Sequence, residues 1–571
     1  SGHIDATATL GFCHEFGLGL PIDYEQAERH YLQAGERGHW LAQCRMYYFR
    51  KSGQSGVIID QAECKCWKLL ANEHRQRAAA MLLDSPALAA RQWLEVAAHV
   101  DQHPAAQYTL GLCLLDGIGL PQDEATALSL LTLAAHQHHP RAQGALGYCY
   151  VEGLGTDRDL VQGLRWYQQA VAQHDPMAIY NLGYCHEFGL GTSRDAVRAF
   201  QLYQRSAQLG NAFAQNSLGY CYEEGIGVAV DVQRAAQWYQ RAAEQGYPWA
   251  QCNLGYCYQH GVGVQTSSTL GAAWYLKAAQ QGYSRAQHNI GFCYQNGIGV
   301  AEDLAQAFHW YQQSAYQGNV FAFHSLGYCY QYGRGTAVDL AKALEWYTKA
   351  ADYNHAPAQL SLGYCYRNGI GVEPDLPRAF GYFELAALQG NHLAQNSLGY
   401  CYEEGLGVDQ DACQAFRWYH ASAMQNNAWA QCNVAQCLFR GVGVAMDSRE
   451  AITWLIKAAR QGLSRAQFKL GQCFQDGTGT PSDKRQAFKW YLKAAKQDHA
   501  AAILAVATCY DQGIGTDQDR QTALRWLQRG STLGDWTASE RVRELTIQLC
   551  LDRVKLELQC GDAGCPIARC A

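Results

Sequence analysis

The sequence predicts an all-α protein, a right-handed α-solenoid (superhelix) of about 15 helix-turn-helix repeats of 36 residues. Three observations support this prediction. One motif recurs at a fixed spacing, each copy has the apolar pattern of two helices, and Gly-x-Gly follows the first helix in all 13 clear copies. Since a single hairpin cannot bury its apolar stripe, neighbouring copies must stack into one array.

The middle glycine of the LGYCY segments marks each copy and is called the anchor. Anchors recur every 36 residues from 111 to 507 without insertion, after an earlier copy; they are Gly11, Gly111, Gly147, Gly183, Gly219, Gly255, Gly291, Gly327, Gly363, Gly399, Ala435, Gly471 and Ala507. The predicted array covers 1–534, with a degenerate copy around Tyr47 and a shortened one at 78–98, both within 47–100. Residues 535–571 are predicted to form a capping helix with a polar outer face and a Cys-containing tail.

Each copy is predicted to hold two helices joined by a glycine-rich loop. In the copy anchored at Gly219, Leu218 and Tyr222 lie four residues apart on the first helix and indicate an apolar stripe. Gly225 and the glycine two residues later then end that helix, because glycine readily adopts the positive φ of a C-cap. Asp231 is the predicted N-cap of the second helix, a position that is Asp in 12 copies and Ser in one.

The resulting consensus, A-x-x-x-L-G-x-x-Y-x-x-G-x-G-V…D…A-x-x-W-Y-x-x-A-A-x-x-G, resembles the Sel-1-like repeat family, which is related to the tetratricopeptide repeats. The resemblance covers residues 1 to about 534 and departs from the pattern at 47–100 and after Gly534. It implies a non-enzymatic scaffold or adaptor that recruits partner proteins. It also implies that the first helix of each copy lines the concave face of the solenoid.

Two rows of first-helix residues are therefore candidates for partner binding. Rings beside short polar side chains suit an extended peptide, whose backbone would bond Asn and Ser while its side chains contact the rings. Alternatively, the rings pack between copies and the polar side chains tolerate a close helix contact. The aromatic row, one residue after the anchor, is Tyr148, Tyr184, Tyr220, Tyr256, Phe292, Tyr328, Tyr364 and Tyr400; the polar row, two residues before it, is Asn181, Ser217, Asn253, Asn289, Ser325, Ser361, Ser397 and Asn433.

The chemistry of the partner is predicted from the fourth and fifth positions after the anchor. With no lysine in the rows of the middle copies, we expect a neutral or modestly basic segment that can contact aromatic rings. An alternative function is a small-molecule or glycan binder, or hydrolase-like activity, in the aromatic-lined groove. These two positions are acidic at Glu223, Glu224, Glu403 and Glu404, and neutral at Gln259, His260, Gln295, Asn296, Gln331 and Tyr332.

A longer period relates whole blocks of the chain. WAQCN at 249–253 returns at 429–433, and SRAQ at 284–287 returns at 464–467, an offset of 180 residues or five copies. The offset indicates either block duplication of the gene or equivalent copies that face equivalent partners.

Thirteen of the 23 cysteines lie two residues after an anchor. Helices of neighbouring copies are separated by ~9–10 Å, whereas a disulfide needs Cα atoms within about 7 Å. We therefore expect free, buried thiols in a reducing compartment and a cytoplasmic location, with a secretory or periplasmic one open if a signal peptide was removed before Ser1. The tail cysteines Cys560, Cys565 and Cys570 indicate a flexible end, with a disulfide, a metal or acylation as alternatives.

Other classes of function lack a signal in the sequence. The net charge of −6 does not indicate nucleic-acid binding, and no apolar run reaches the length of a membrane span. No catalytic, phosphate-binding or metal-binding motif is present, so we predict no enzyme, cofactor or metal. The His-Glu pairs at His14 and His186 are expected to be surface or groove contacts.

Overall fold

The computed structural model describes residues 4–52, 64, 66–72 and 94–561, and this part of the chain is helical with intervening loops and without a β-strand. The all-α prediction and the repeated hairpin are confirmed. The chain forms two compact units, Ser1–Ala337 and Val338–Ala571.

In the first unit, the hairpin helices alternate as first and second members of each copy. Short helical stretches also occur at 66–72 and 94–99. The longer helices are α1 (Ile4–Phe16), α2 (Tyr24–Glu36), α3 (Trp40–Ser52), α4 (Pro104–Asp116), α5 (Glu124–His136), α6 (Pro140–Glu152), α7 (Leu160–Ala172), α8 (Pro176–Phe188), α9 (Ala196–Gln208), α10 (Ala212–Glu224), α11 (Val232–Glu244), α12 (Pro248–His260), α13 (Ser268–Gln280), α14 (Ser284–Asn296), α15 (Leu304–Tyr316) and α16 (Val320–Tyr332).

The second unit continues the alternation and adds a longer terminal helix. Its helices are α17 (Leu340–Asp352), α18 (Ala356–Asn368), α19 (Leu376–Leu388), α20 (His392–Glu404), α21 (Ala412–Met424), α22 (Ala428–Arg440), α23 (Ser448–Arg460), α24 (Ser464–Asp476), α25 (Lys484–Ala495), α26 (Ala500–Gln512), α27 (Arg520–Thr532) and α28 (Trp536–Gly561).

The loop of each hairpin follows the predicted geometry. Gly225 ends α10 in the left-handed region with φ of 74°, and its N–H donates to the Cys221 carbonyl. Gly227 also has positive φ, and a Cβ there would stand 2.2 Å from the carbonyl oxygen of Ala196 in the preceding hairpin. The Asp231 carboxylate accepts the N–H of Arg234 at 3.0 Å and caps α11. All 26 glycines of the Gly-x-Gly loops have positive φ, so this prediction is confirmed.

Inside each hairpin, the anchor lies against a large side chain of the second helix. A Cβ on Gly219 would stand 2.7 Å from Cδ1 of the fully buried Tyr239. Cys221 fills the space next to this contact. Twelve of the 13 repeat-position cysteines are buried, Cys13 is partly exposed, and all 13 are free thiols, as the sequence predicts.

A ladder of glutamine pairs, which we did not predict, joins the first helix of a hairpin to the end of its second helix and to the hairpin before it. Gln251, four residues before its anchor, is buried and donates from Nε2 to the Ala243 carbonyl at 3.2 Å. Its Oε1 accepts a hydrogen bond from Gln281 at 2.9 Å, 30 residues later. Nine such Gln–Gln bonds of 2.7–2.9 Å occur among the described residues. They provide hydrogen-bond partners for the buried side-chain amides, which without partners would cost folding free energy.

The N-terminal helices pack against the regular copies through polar contacts. Tyr48 of α3 donates to the Leu112 carbonyl of α4 at 2.6 Å, so α3 lies beside α4. Glu15 is buried in an ion pair with Arg45 and accepts the Tyr31 hydroxyl at 2.9 Å. The expected surface contact at this His-Glu pair is therefore wrong for Glu15. Most of the shortened copy at 78–98 lies outside the described residues.

The last helix of the described residues, α28, lies where the sequence predicts a capping helix. It packs through Ala538 and Leu545 onto the preceding hairpin. Its other side exposes Ile547, Leu551 and Val554, which lie four and three residues apart and form an apolar stripe. The outer face is therefore only partly polar, because the exposed Arg543 and Glu544 share it with this stripe. The side chains of Cys560, Cys565 and Cys570 lie outside the described residues.

Candidate functional site

The aromatic row lies on the solvent-facing side of the first helices. In the first unit, the rings of Tyr148, Tyr184, Tyr220, Tyr256 and Phe292 are each 41–46% exposed. Their neighbours on the helix, including the leucine before the anchor and the cysteine after it, are buried. Tyr328 is partly exposed, as is Tyr364 in the second unit, where Tyr400 is 41% exposed. Rings half in contact with water in successive hairpins are available to a ligand.

The polar row is more buried than the aromatic row and lies between adjacent first helices. Asn253 donates to Oδ1 of Asn216 on the preceding first helix at 3.1 Å. Asn289 donates to the Cys252 thiol in the same way at 3.6 Å. In the second unit, the hydroxyl groups of Tyr364 and Ser397 lie 2.8 Å apart. The polar row is partly or fully buried, and these three hydrogen bonds link neighbouring first helices, which is the arrangement of the packing alternative at these positions.

A row six residues before the anchor, which sequence reasoning missed, and the predicted fifth position after the anchor complete one exposed stripe. Residues six before and five after the anchor share a helix face with both predicted rows, because the spacings are four, three and four. On α12 this face carries Trp249 and His260 in addition to Tyr256. The His260 ring lies 4.4 Å from that of Tyr256, and similar pairs occur at Tyr184 with Phe188. On α12 the exposed stripe, as we call these four positions, therefore carries more rings than its predicted rows alone.

The fourth position after the anchor does not contribute to this surface as predicted. Glu223 accepts the hydroxyl hydrogen bond of Tyr239 at 2.6 Å, and Glu187 accepts that of Tyr203 at the same distance. Gln295 plays this part for Tyr311 at 3.1 Å. Burial and the adjacent carboxylate raise the pKa of Tyr239 well above its ordinary value. These side chains close the hairpin core, so of the fourth and fifth positions only the fifth contributes to the charge of the exposed stripe.

The buried repeat-position cysteines are poor nucleophiles at neutral pH. Burial raises the pKa of Cys221 and of Cys257 to about 12 and that of Cys293 to about 11. A thiolate is needed for nucleophilic attack or metal binding. The repeat-position cysteines therefore fit a packing role.

A cavity of about 440 Å³ lies between α26, α27 and α28. Arg520 in its wall pairs with Asp511 at 3.2 Å and also with Asp552. Arg541 donates to the Thr508 hydroxyl at 2.8 Å. Arg520 is paired with two carboxylates of the protein itself, so this cation is less available to a ligand than the side chains of the exposed stripe are.

In the described ranges, no group of three His, Cys, Asp or Glu side chains is arranged to hold a metal ion. The two cysteines of the C-x-C sequence at 64–66 lie in different environments, since Cys64 is buried and Cys66 is exposed. Across the same ranges, no helix combines the length and the apolar character that a membrane span requires.

The family model of the Sel1 repeat matches this chain thirteen times. The matched copies lie at 4–39, 104–139, 140–175, 176–211, 212–247, 250–283, 284–319, 324–355, 356–391, 392–427, 430–463, 464–499 and 500–535. They include every residue of the aromatic row. No curated protein matches the chain.

Two solved structures of similar sequence come from bacteria. A protective antigen of uropathogenic Escherichia coli, c5321, which displays an SLR fold, is 32% identical over 80% of this chain and 97% of its own, with a TM-score of 0.61. A Sel1 repeat protein from Oxalobacter formigenes is 31% identical over 54% of this chain and 90% of its own, with a TM-score of 0.43.

Proposed function

The chain belongs to the Sel1-repeat family, and from this premise we propose that it is a non-enzymatic scaffold that binds partner proteins through extended peptide segments. The segments lie along the exposed stripe within each unit. The aromatic row supplies the main contacts, while the polar row spaces the helices beneath it.

The observation that carries this proposal is the repeated exposure of large rings. A solvent-facing side chain such as Tyr256 loses apolar contact with water when a ligand covers it, whereas a charged side chain would have to be desolvated. Extended apolar surfaces of this kind mark interaction sites on soluble proteins. Rings that recur once per hairpin suit a partner that is itself extended.

The test replaces three neighbouring rings of the first unit. The variant Tyr220→Ala, Tyr256→Ala, Phe292→Ala should lose at least about 2 kcal/mol of partner-binding free energy, since buried aromatic contacts dominate interfaces. Its circular dichroism should match that of the unchanged protein, because the three rings lie outside the core. Affinity capture followed by a titration with the captured partner measures the binding free energy, and a circular dichroism spectrum measures the helix content.

A matched control separates surface chemistry from a general effect of mutation. Tyr316, an exposed tyrosine at the end of the second helix α15, lies off the exposed stripe, and Tyr316→Ala should leave binding unchanged. Loss of helicity in the triple variant would instead support the packing alternative. A glycan-array signal without any captured protein would favour the glycan-binding alternative.

A further inference from the structure

Two stretches related by the 180-residue offset have diverged in charge. The second-unit copies at 428–499 contain eleven Lys and Arg against five Asp and Glu, whereas their first-unit counterparts at 248–319 contain two of each. The whole chain carries a net charge of −6. A positive surface has therefore been concentrated in one part of the second unit.

Within this stretch, two cations converge on a neutral acceptor. Arg465 and Lys469 lie one turn apart on α24 and both donate to Oε1 of Gln436 on α22, at 3.2 Å and 2.6 Å. Both cationic side chains are partly buried. Neither forms an ion pair with any of the described residues.

The electrostatic environment of this pair is positive. Burial lowers the pKa of Lys469, and the positive charges of Arg465 and Arg440 lower it further. Arg440 ends α22 and is exposed. An amide oxygen is a weak counterpart for two positive groups, while a carboxylate would accept charge-assisted hydrogen bonds from both.

An exposed tryptophan lies on the same helix. Trp429 is 53% exposed and precedes Gln436 by seven residues, so the two share the exposed stripe of α22. The two side chains are separated by two helical turns, or ~10 Å along the axis. That span equals about three residues of extended chain, which places an apolar and an acidic side chain of one peptide within reach of the two positions.

We propose that Gln436, Arg465 and Lys469, with Arg440 beside them, form a carboxylate-binding site for an acidic peptide segment whose apolar side chain covers Trp429. The site rests on the proposed function, since it lies on the exposed stripe, but it specifies an acidic ligand where the first unit offers a neutral aromatic surface. It differs from the neutral or basic partner that the sequence predicts for the middle copies.

The chain itself supplies a matched variant for the test. The positions 180 residues earlier, in the first unit, hold Tyr256, His260 and Asn289. The variant Gln436→Tyr, Arg440→His, Lys469→Asn therefore introduces residues that the corresponding first helices already contain. The full-length protein is titrated with a fluorescent peptide of alternating glutamate and leucine, and with the same peptide carrying glutamine for glutamate.

We expect the unchanged protein to bind the glutamate peptide at least about tenfold more tightly than the glutamine peptide, because hydrogen bonds to charged groups are the stronger ones. Added salt should weaken only the binding of the glutamate peptide. The triple variant should bind both peptides equally. Carbodiimide should cross-link the bound glutamate peptide to Lys469 and leave Lys457 and Lys489 of the second helices unlinked.

Equal affinity of the unchanged protein for both peptides would overturn the proposal, as would an unaltered preference in the triple variant. It is also overturned if an oligothymidylate of similar length binds more tightly than the glutamate peptide and displaces it, which would assign the cluster to nucleic acid. The Tyr220, Tyr256 and Phe292 triple-alanine variant serves as the control for the proposed function. If that variant keeps its natural partner while glutamate-peptide binding at Lys469 persists, the proposed function fails and this site stands.

Discussion

At the residue scale, the anchor glycine sets how closely the two helices of a hairpin approach. The added Cβ of Gly219→Ala would collide with the ring of Tyr239 and lie 3.1 Å from the Ala235 carbonyl. We expect a destabilisation of about 1–3 kcal/mol, the usual cost of overpacking. Urea unfolding, together with amide hydrogen exchange of this hairpin, measures it.

Gly381 provides the control for that substitution. It lies within α19 with no heavy atom within 4 Å of the position a Cβ would take. Gly381→Ala should therefore stabilise its helix by about 0.5–1 kcal/mol. The two alanine anchors, Ala435 and Ala507, agree with this reasoning, since each packs with a leucine in place of the tyrosine ring. Equal destabilisation by both substitutions would contradict this account.

Thiol reactivity is a second property decided residue by residue. Cys413 is exposed, whereas Cys221 is buried and its pKa is raised to about 12. In native protein at pH 8, we expect iodoacetamide to modify Cys413 within minutes and Cys221 only after local opening, because the thiolate is the reactive form. Mass spectrometry of the alkylated peptides measures the rate at each cysteine. Urea-unfolded protein, in which both cysteines should react, is the control. Similar rates for the two cysteines in native protein would refute it.

At the element scale, paired glutamines connect the first helix of a hairpin to the end of its second helix and to the hairpin before it. Gln251→Ile alone should cost about 1–2 kcal/mol, because it removes the acceptor of Gln281 inside a partly buried contact. The double variant Gln251→Ile, Gln281→Leu should recover part of this loss. The chain already contains that apolar pair, as Ile179 with Leu209 thirty residues later.

A double-mutant cycle on urea midpoints provides the measurement for the glutamine pair. We expect a coupling of about 0.5–2 kcal/mol between the two positions. Hydrogen exchange should confine the effect to the α12–α13 hairpin and its neighbours, as expected for a linear array of repeats. Additive effects of the two substitutions would show that the Gln–Gln bond contributes nothing to stability.

Some features of a hairpin could be predicted from the sequence, and others could not. Helices, caps and loops follow from local patterns, and Asp231 and Gly225 perform the predicted tasks. The glutamine ladder and the Glu223–Tyr239 bond depend on the placement of residues 30 and 16 positions apart, which local periodicity does not encode. For the same reason, the predicted aromatic row is exposed as a groove surface requires, whereas the polar row turns out to bond between helices.

At the scale of the whole molecule, the 180-residue offset relates surfaces as well as sequences. Asn433 donates to Asn396 at 3.1 Å in the second unit, as Asn253 does to Asn216 in the first. Trp249 and Trp429 are exposed to nearly the same extent, at 52% and 53%. The helices and the exposed tryptophan are retained, while Tyr256 and His260 of the stripe are replaced by Gln436 and Arg440. Such a divergence is expected of a scaffold that binds more than one kind of segment.

The central claim is that partner proteins lie along the exposed stripe. Its most direct test places a photo-cross-linking benzoylphenylalanine at Tyr256, and in a separate protein at Tyr316, which is 69% exposed on a second helix. Irradiation of each protein with a captured partner should give a covalent adduct from position 256 and none from position 316. An adduct from position 316 with none from position 256 would contradict the claim and place the partner on the second helices.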